Sequence, residues 1–195
     1  MRSLKSAAIA LFAVLLPACT LSPQTIHVTP QLVIAPAAIG NGKTVSVQVI
    51  DERSDTVLGS RGGVYSKSSL IRSGNDIAEA VRLETEKGLA AQGYAVDNSL
   101  GNSSKATAAV KIVIAELSYV VPEGPVATGA DMTAALRVTA EDAGGTHTAN
   151  YRSTVTRKFP VAPTAGQNET WINEVLGETL ARFFADQQMR AFLTR

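Results

Sequence analysis

The chain has 195 residues, 45% apolar and 18% charged, with 5% aromatic residues and a net charge of +1. That is the balance of an ordinary globular domain, and it offers no concentrated basic surface of the kind nucleic acid requires. A single cysteine, Cys19, excludes an internal disulfide, and a chain of this length buries roughly two-thirds of its unfolded surface without one.

The N-terminus "MRSLKSAAIALFAVLLPAC" has three parts. Arg2 and Lys5 make a positive start, Ala7 to Leu16 is an apolar run, and Pro17-Ala18 leads into Cys19. Ten apolar residues make a helix of about 15 Å, half of the bilayer's hydrocarbon core of about 30 Å, so the run does not span as a helix. This is the layout of a secretory signal. Leu15-Leu16-Pro17-Ala18-Cys19 resembles the bacterial lipobox, which implies cleavage after Ala18 and a diacylglyceryl group on the Cys19 thiol. Pro17 departs from the usual residue at that place. Removal of residues 1–18 leaves 16 basic and 17 acidic groups, so the lipid rather than a polybasic patch would hold the membrane. Thr20, in place of an Asp retention signal, points to the outer membrane.

Residues 19–43 are expected to form the lipidated cysteine, a tether and an edge strand, because Pro23, Pro30 and Pro36 forbid a regular helix. "GNGK" (40–43) closes this part with a turn, and residues 44–195 form a single periplasmic domain. Val45, Val47 and Val49 alternate with polar residues as in a half-buried strand. "VLGSRGGVYSKSS" is loop-like or hairpin-like. Ile77, Ala80, Val81, Gly88 and Leu89 share one helical face, with Asn75 or Asp76 as the cap and Gly93 as the stop. "ATAAVKIVIAELSYVV" is apolar on both faces, as a central strand would be. "DMTAALRVTAED" and "HTANYRSTVTRKF" flank "AGGT" as a hairpin. Ile172, Val175, Leu176, Thr179, Leu180 and Phe183 build a second amphipathic helix, broken near Asp186 before a short piece with Met189, Phe192 and Leu193. The expected fold is α+β, a mostly antiparallel sheet with two helices packed on one face.

Chemistry-bearing constellations are sparse. His27 and His147 are far apart and no second cysteine exists, so neither a metal site nor a cofactor is expected. No Gly-x-Ser-x-Gly elbow is present, and the chain is expected not to be an enzyme. The densest charged cluster is "DERSD", where Asp51, Arg53 and Asp55, together with Arg61 of "GSRGG", are weak candidates for ligand contact. The alternative is a solvated strand end with local ion pairs. Trp171 is read as core or rim.

Taken together, the lipobox, "TIHVTP", "VSVQVIDERSD", "LAAQGYAV", "NYR" and "INEVLGETLARFFAD" make the chain similar to the YajG family of bacterial lipoproteins. The resemblance implies an outer-membrane lipoprotein and supplies no catalytic residues; only Cys19 carries over. The expected function is a lipid-anchored, periplasm-facing accessory or binding component of the cell envelope, with another envelope protein as partner. A peptidoglycan- or lipid-binding module is the alternative, and a hydrolase the third.

Overall fold

The computed structural model describes residues 22–63, 66–99, 105–123 and 128–195. The signal segment, Ala18 and Cys19 lie outside the described residues.

Among the described residues, eight strands and three helices follow the order β1 (Gln24–Ile26), β2 (Thr44–Asp51), β3 (Val57–Ser60), β4 (Leu70–Ser73), α1 (Ile77–Ala91), β5 (Ala95–Val96), β6 (Ala108–Val120), β7 (Gly129–Asp142), β8 (Gly145–Lys158), α2 (Ala165–Ala185) and α3 (Gln187–Thr194). All strands belong to one sheet, and β6 is its axis. β7 runs antiparallel along the whole of one edge of β6 and pairs in turn with β8. The other edge is shared: β2 pairs with residues 108–114 of β6, and β3 meets it at Tyr119. β5 extends β2, and β4 and then β1 extend β3.

The expectation of a mostly antiparallel sheet is corrected. The sheet is mixed, and four of its seven pairings are parallel: β1–β4, β2–β5, β2–β6 and β3–β6. For three of them the reason is α1. It lies in sequence between β2 or β3 and the later strands β5 and β6, so that a helical crossover returns the chain beside the earlier strand in the same direction. β1 and β4 are joined instead through residues 27–43, β2 and β3. The expected two helices are also three, because Asp186 leaves the helical conformation (φ −69°, ψ 115°) and its side chain then caps α3.

Local chemistry sets the element ends. Asp76 caps α1 by accepting the Glu79 N–H, and Gly93 follows the helix at φ +84°. Thr164 and Gln167 form a capping box at the start of α2. The β7–β8 hairpin turns through Ala143-Gly144, with the Asp142 carboxylate accepting the Gly144 N–H.

One face of the sheet carries the core. Val110, Ile112 and Ile114 of β6 point inward; a bulge between Ile114 and Glu116 then shifts the alternation so that Leu117 and Tyr119 also point inward. This bulge explains why the segment looks apolar on both faces in sequence. Met132, Ala134, Leu136 and Val138 of β7 line the same face, under Ile172, Val175, Leu176, Leu180 and Phe183 of α2 and Val81 and Leu89 of α1, in one continuous cluster. Each buried Val, Leu, Ile, Met or Phe side chain among them contributes about 1.5–3 kcal/mol. The opposite face is polar. Hydroxyl pairs Thr133–Thr154 (3.1 Å) and Thr139–Thr148 (3.0 Å) cross from β7 to β8, and Arg152 pairs with Glu116 at 2.6 Å.

Candidate functional site

After β1 the chain continues as a strap, residues 27–43, running between α1 and α2 without regular structure of its own. In its first part, residues 27–32, the backbone is held by side chains. The His27 N–H donates to Glu169 and the Thr29 N–H to Asn173 Oδ1, each at 2.8 Å, and Asn173 Nδ2 returns a bond to the His27 carbonyl at 3.1 Å. Asn75 does the same for Val28 from the α1 side, and the Leu32 N–H reaches Glu84 at 2.9 Å. A segment carrying Pro30 and Pro36 cannot sustain a ladder, so amides and carboxylates on the two helices satisfy the donors that prolines interrupt. Further along, Ala37 and Gly40 donate to the carbonyls of Ala91 and Gln92 at the end of α1.

Beside the strap lies an open groove of about 520 Å³. Thr29, Gln31 and Val33 form one wall and α2 the other. Glu169, Asn173, Gly177 and Ala181 recur every four residues along that wall and therefore form one stripe of the helix. Gly177 is required by contact: a Cβ there would lie 2.6 Å from the Gln31 carbonyl oxygen. Glu169, Glu174 and Glu178 give the groove an acidic lining, with Glu174 paired to Arg157 at 2.6 Å. This shape and charge suit an extended, cationic or hydrogen-bonding ligand better than an apolar one.

The sequence candidates are dispersed. The Arg53 side chain, only 8% exposed, grips Asp51 with two bonds of 2.8 and 2.7 Å at the end of β2. Burial alone would raise the Asp51 pKa, and the bonds from Arg53 overcome it and hold the carboxyl below its usual value. Asp55 accepts the Val57 N–H at 2.8 Å and so caps the entry to β3. Arg61 is buried at the other end of β3, where it reaches the Pro163 carbonyl at 3.4 Å and lies near Tyr119, whose burial pushes its hydroxyl up to about 12. Asp51 and Arg53 are thus brought together, while Arg61 serves a different end of the sheet. Trp171 stacks on Phe159 with ring centroids 6.1 Å apart. Among the described residues no group of three or more His, Cys, Asp or Glu side chains is arranged to hold a metal ion. The groove residues escaped the sequence reading. Their only signal is the four-residue spacing of Glu169, Asn173 and Gly177 within a helix already explained by its apolar face.

A family model described as an uncharacterized lipoprotein matches residues 30–194, nearly the whole of the strap and body. The chain belongs to this lipoprotein family. No curated protein matches it. Among solved structures, the lipoprotein is similar to a protein of Xanthomonas campestris at 13% identity and a TM-score of 0.49, over 89% of this chain and 99% of that one. A protein of Chlamydia trachomatis is 10% identical with a TM-score of 0.45, covering 78% and 96% of the two chains. A lipoprotein of Neisseria meningitidis is 10% identical with a TM-score of 0.39, covering 74% and 99%. In this lipoprotein no helix among the described residues is long and apolar enough to cross a membrane.

Proposed function

We propose that this lipoprotein is anchored by lipid on Cys19 after cleavage behind Ala18, faces the periplasm from the outer membrane, and acts as an accessory that binds another envelope protein. The observation that carries the reading is the groove beside the strap. It is open and acidic, lined by Glu169, Glu174 and Glu178, which suits a basic or extended segment of a partner chain. Membership of a lipoprotein family and the lipobox at Cys19 support the anchor, and the resemblance to the YajG family supports the outer membrane. A second reading, a peptidoglycan-binding module, draws on the groove volume of about 520 Å³, which falls in the range of small-ligand sites.

The test is crosslinking in cells of the full-length protein with a photoreactive residue at Thr170 in the groove. A single envelope protein recovered with it supports the accessory reading; glycan without protein moves the assignment to the second. Intact-mass measurement and membrane fractionation of Cys19→Ala read the anchor separately. A Cys19→Ala protein still held at the membrane and fully functional would end that part of the proposal.

A further inference from the structure

Several segments converge at one end of the sheet. β3, β6 and β8 run toward that end, and β1 and β7 start from it. The connections leaving β3, β6 and β8 therefore turn side by side with the entry of the chain into β1. Hydrogen bonds tie them together. Gln24 Nε2 donates to the Pro163 carbonyl at 3.1 Å, Arg61 Nη2 reaches the same carbonyl at 3.4 Å, and the Phe159 N–H donates to the Thr128 carbonyl at 2.9 Å.

This end is unusually apolar for a solvent-facing tip. Val161 is 76% exposed and Val120 56%, and they are two of the four large hydrophobic residues that the described surface exposes. Pro23, Pro122, Pro160 and Ala162 are exposed around them. Lys67 and Lys158 are exposed on the same end, where the carboxylates are the exposed Glu123 and the half-buried Asp131, which sits opposite Val120 and accepts from the Thr156 hydroxyl.

The chain length outside the described residues identifies what covers it. Only four residues separate Cys19 from Gln24, so the chain takes five steps between them. At about 3.3–3.6 Å each they reach at most about 18 Å. The 14-residue strands β7 and β8 hold the opposite tip, at Ala143-Gly144, farther away by roughly 45 Å at about 3.3 Å per residue. A lipid on Cys19 would therefore hold the start of β1 within about 18 Å of the bilayer, nearer than the hairpin tip can be when the strands stand away from the membrane.

We propose that this end is a membrane-contact face, with Val161, Val120 and the surrounding prolines resting among the headgroups of the phospholipid surface that holds the anchor, and Lys67 and Lys158 on anionic headgroups. The inference rests on the reading of Cys19 as lipidated. Exposed apolar side chains gain from leaving water at an interface, and ammonium groups at their rim gain from anionic lipid.

The experiment places the photoreactive residue p-benzoylphenylalanine at position 161 or, separately, at 143 in the full-length protein. Each protein is reconstituted in vesicles of phosphatidylethanolamine and phosphatidylglycerol, irradiated, and its lipid adducts counted by mass spectrometry. A several-fold excess of adduct at 161 over 143 is expected. Equal yields at the two positions overturn the proposal, as does crosslinking of position 161 in cells to a protein in place of lipid. Intact mass of the same samples reports acylation of Cys19. If acyl mass is missing, the anchor reading fails by itself; the free thiol is then coupled to a maleimide-headgroup lipid and the same comparison decides the face.

Discussion

Asn75 and Val28 are bound reciprocally. The Val28 N–H donates to Asn75 Oδ1 at 2.8 Å, and Asn75 Nδ2 donates to the Val28 carbonyl at 2.9 Å, so one side chain takes the place of a neighbouring strand. Val28 is fully buried, which leaves water unable to replace either bond.

Asn75→Ala therefore strands two buried backbone groups and is expected to cost about 2–4 kcal/mol, since each unsatisfied group costs about 1–3. Asp76→Ala, the adjacent substitution, removes only the helix cap and is expected to cost about 1 kcal/mol. Urea unfolding of both variants checks the order. A smaller loss for Asn75→Ala than for Asp76→Ala would contradict this account of the strap.

Two glycines of α2 are expected to respond to alanine with opposite signs. At Gly177 the new methyl meets the Gln31 carbonyl at 2.6 Å and must push the strap off the helix, a cost of about 1–3 kcal/mol. At Gly166 nothing lies within 4 Å, so Gly166→Ala is expected to stabilise by a few tenths to about 1 kcal/mol through helix propensity. Thermal melts of the two variants decide it, and protease cleavage within residues 29–36 of Gly177→Ala should rise.

Acid is expected to destabilise the fold through carboxylates with depressed pKa values. At Asp186 burial alone would raise the pKa, but the Tyr151 hydroxyl at 2.7 Å and the N–H groups of Met189 and Gln188 outweigh it and hold the group low. Asp97, bonded by the Lys105 and Ser99 N–H groups, sits at about 2. A depressed folded pKa contributes stability above the unfolded value of about 3.9, and that stability is lost as pH falls through the folded pKa. Urea midpoints should thus fall from about pH 4 toward pH 2. Asp186→Asn should flatten that slope and lower stability at neutral pH.

Arg53→Lys tests whether the pair at the end of β2 is structural. A lysine cannot reproduce the two parallel bonds to Asp51, and a loss of about 1–2 kcal/mol is expected. The loss should be full above about pH 4 and shrink as pH falls, because in acid the wild type also loses the stability that the depressed Asp51 carboxyl contributes. Unchanged stability would point to a role for Arg53 outside the fold.

The period of each major element was legible in the chain itself. Val45, Val47 and Val49 announce β2, the hairpin faces of β7 and β8 follow from alternation about Ala143-Gly144, the apolar stripes of α1 and α2 lie where their spacing places them, and Asp76 and Gly93 bound α1. These features depend on neighbours within a few residues, where backbone geometry and side-chain spacing are coupled directly. Partnership was not legible. That β6 receives both β2 and β3 on one edge, in parallel, depends on a helical excursion between them, and nothing in "KTVSVQVIDE" marks its partner some 60 residues later. The strap is the extreme case: Glu84, Glu169 and Asn173 look like ordinary polar residues on helix surfaces, and Asn75 like a helix cap, until packing brings Leu32, His27, Thr29 and Val28 against them. Local periodicity determined the elements of this lipoprotein. Burial of one sheet face decided which of them meet, and only that meeting created the groove and the apolar end.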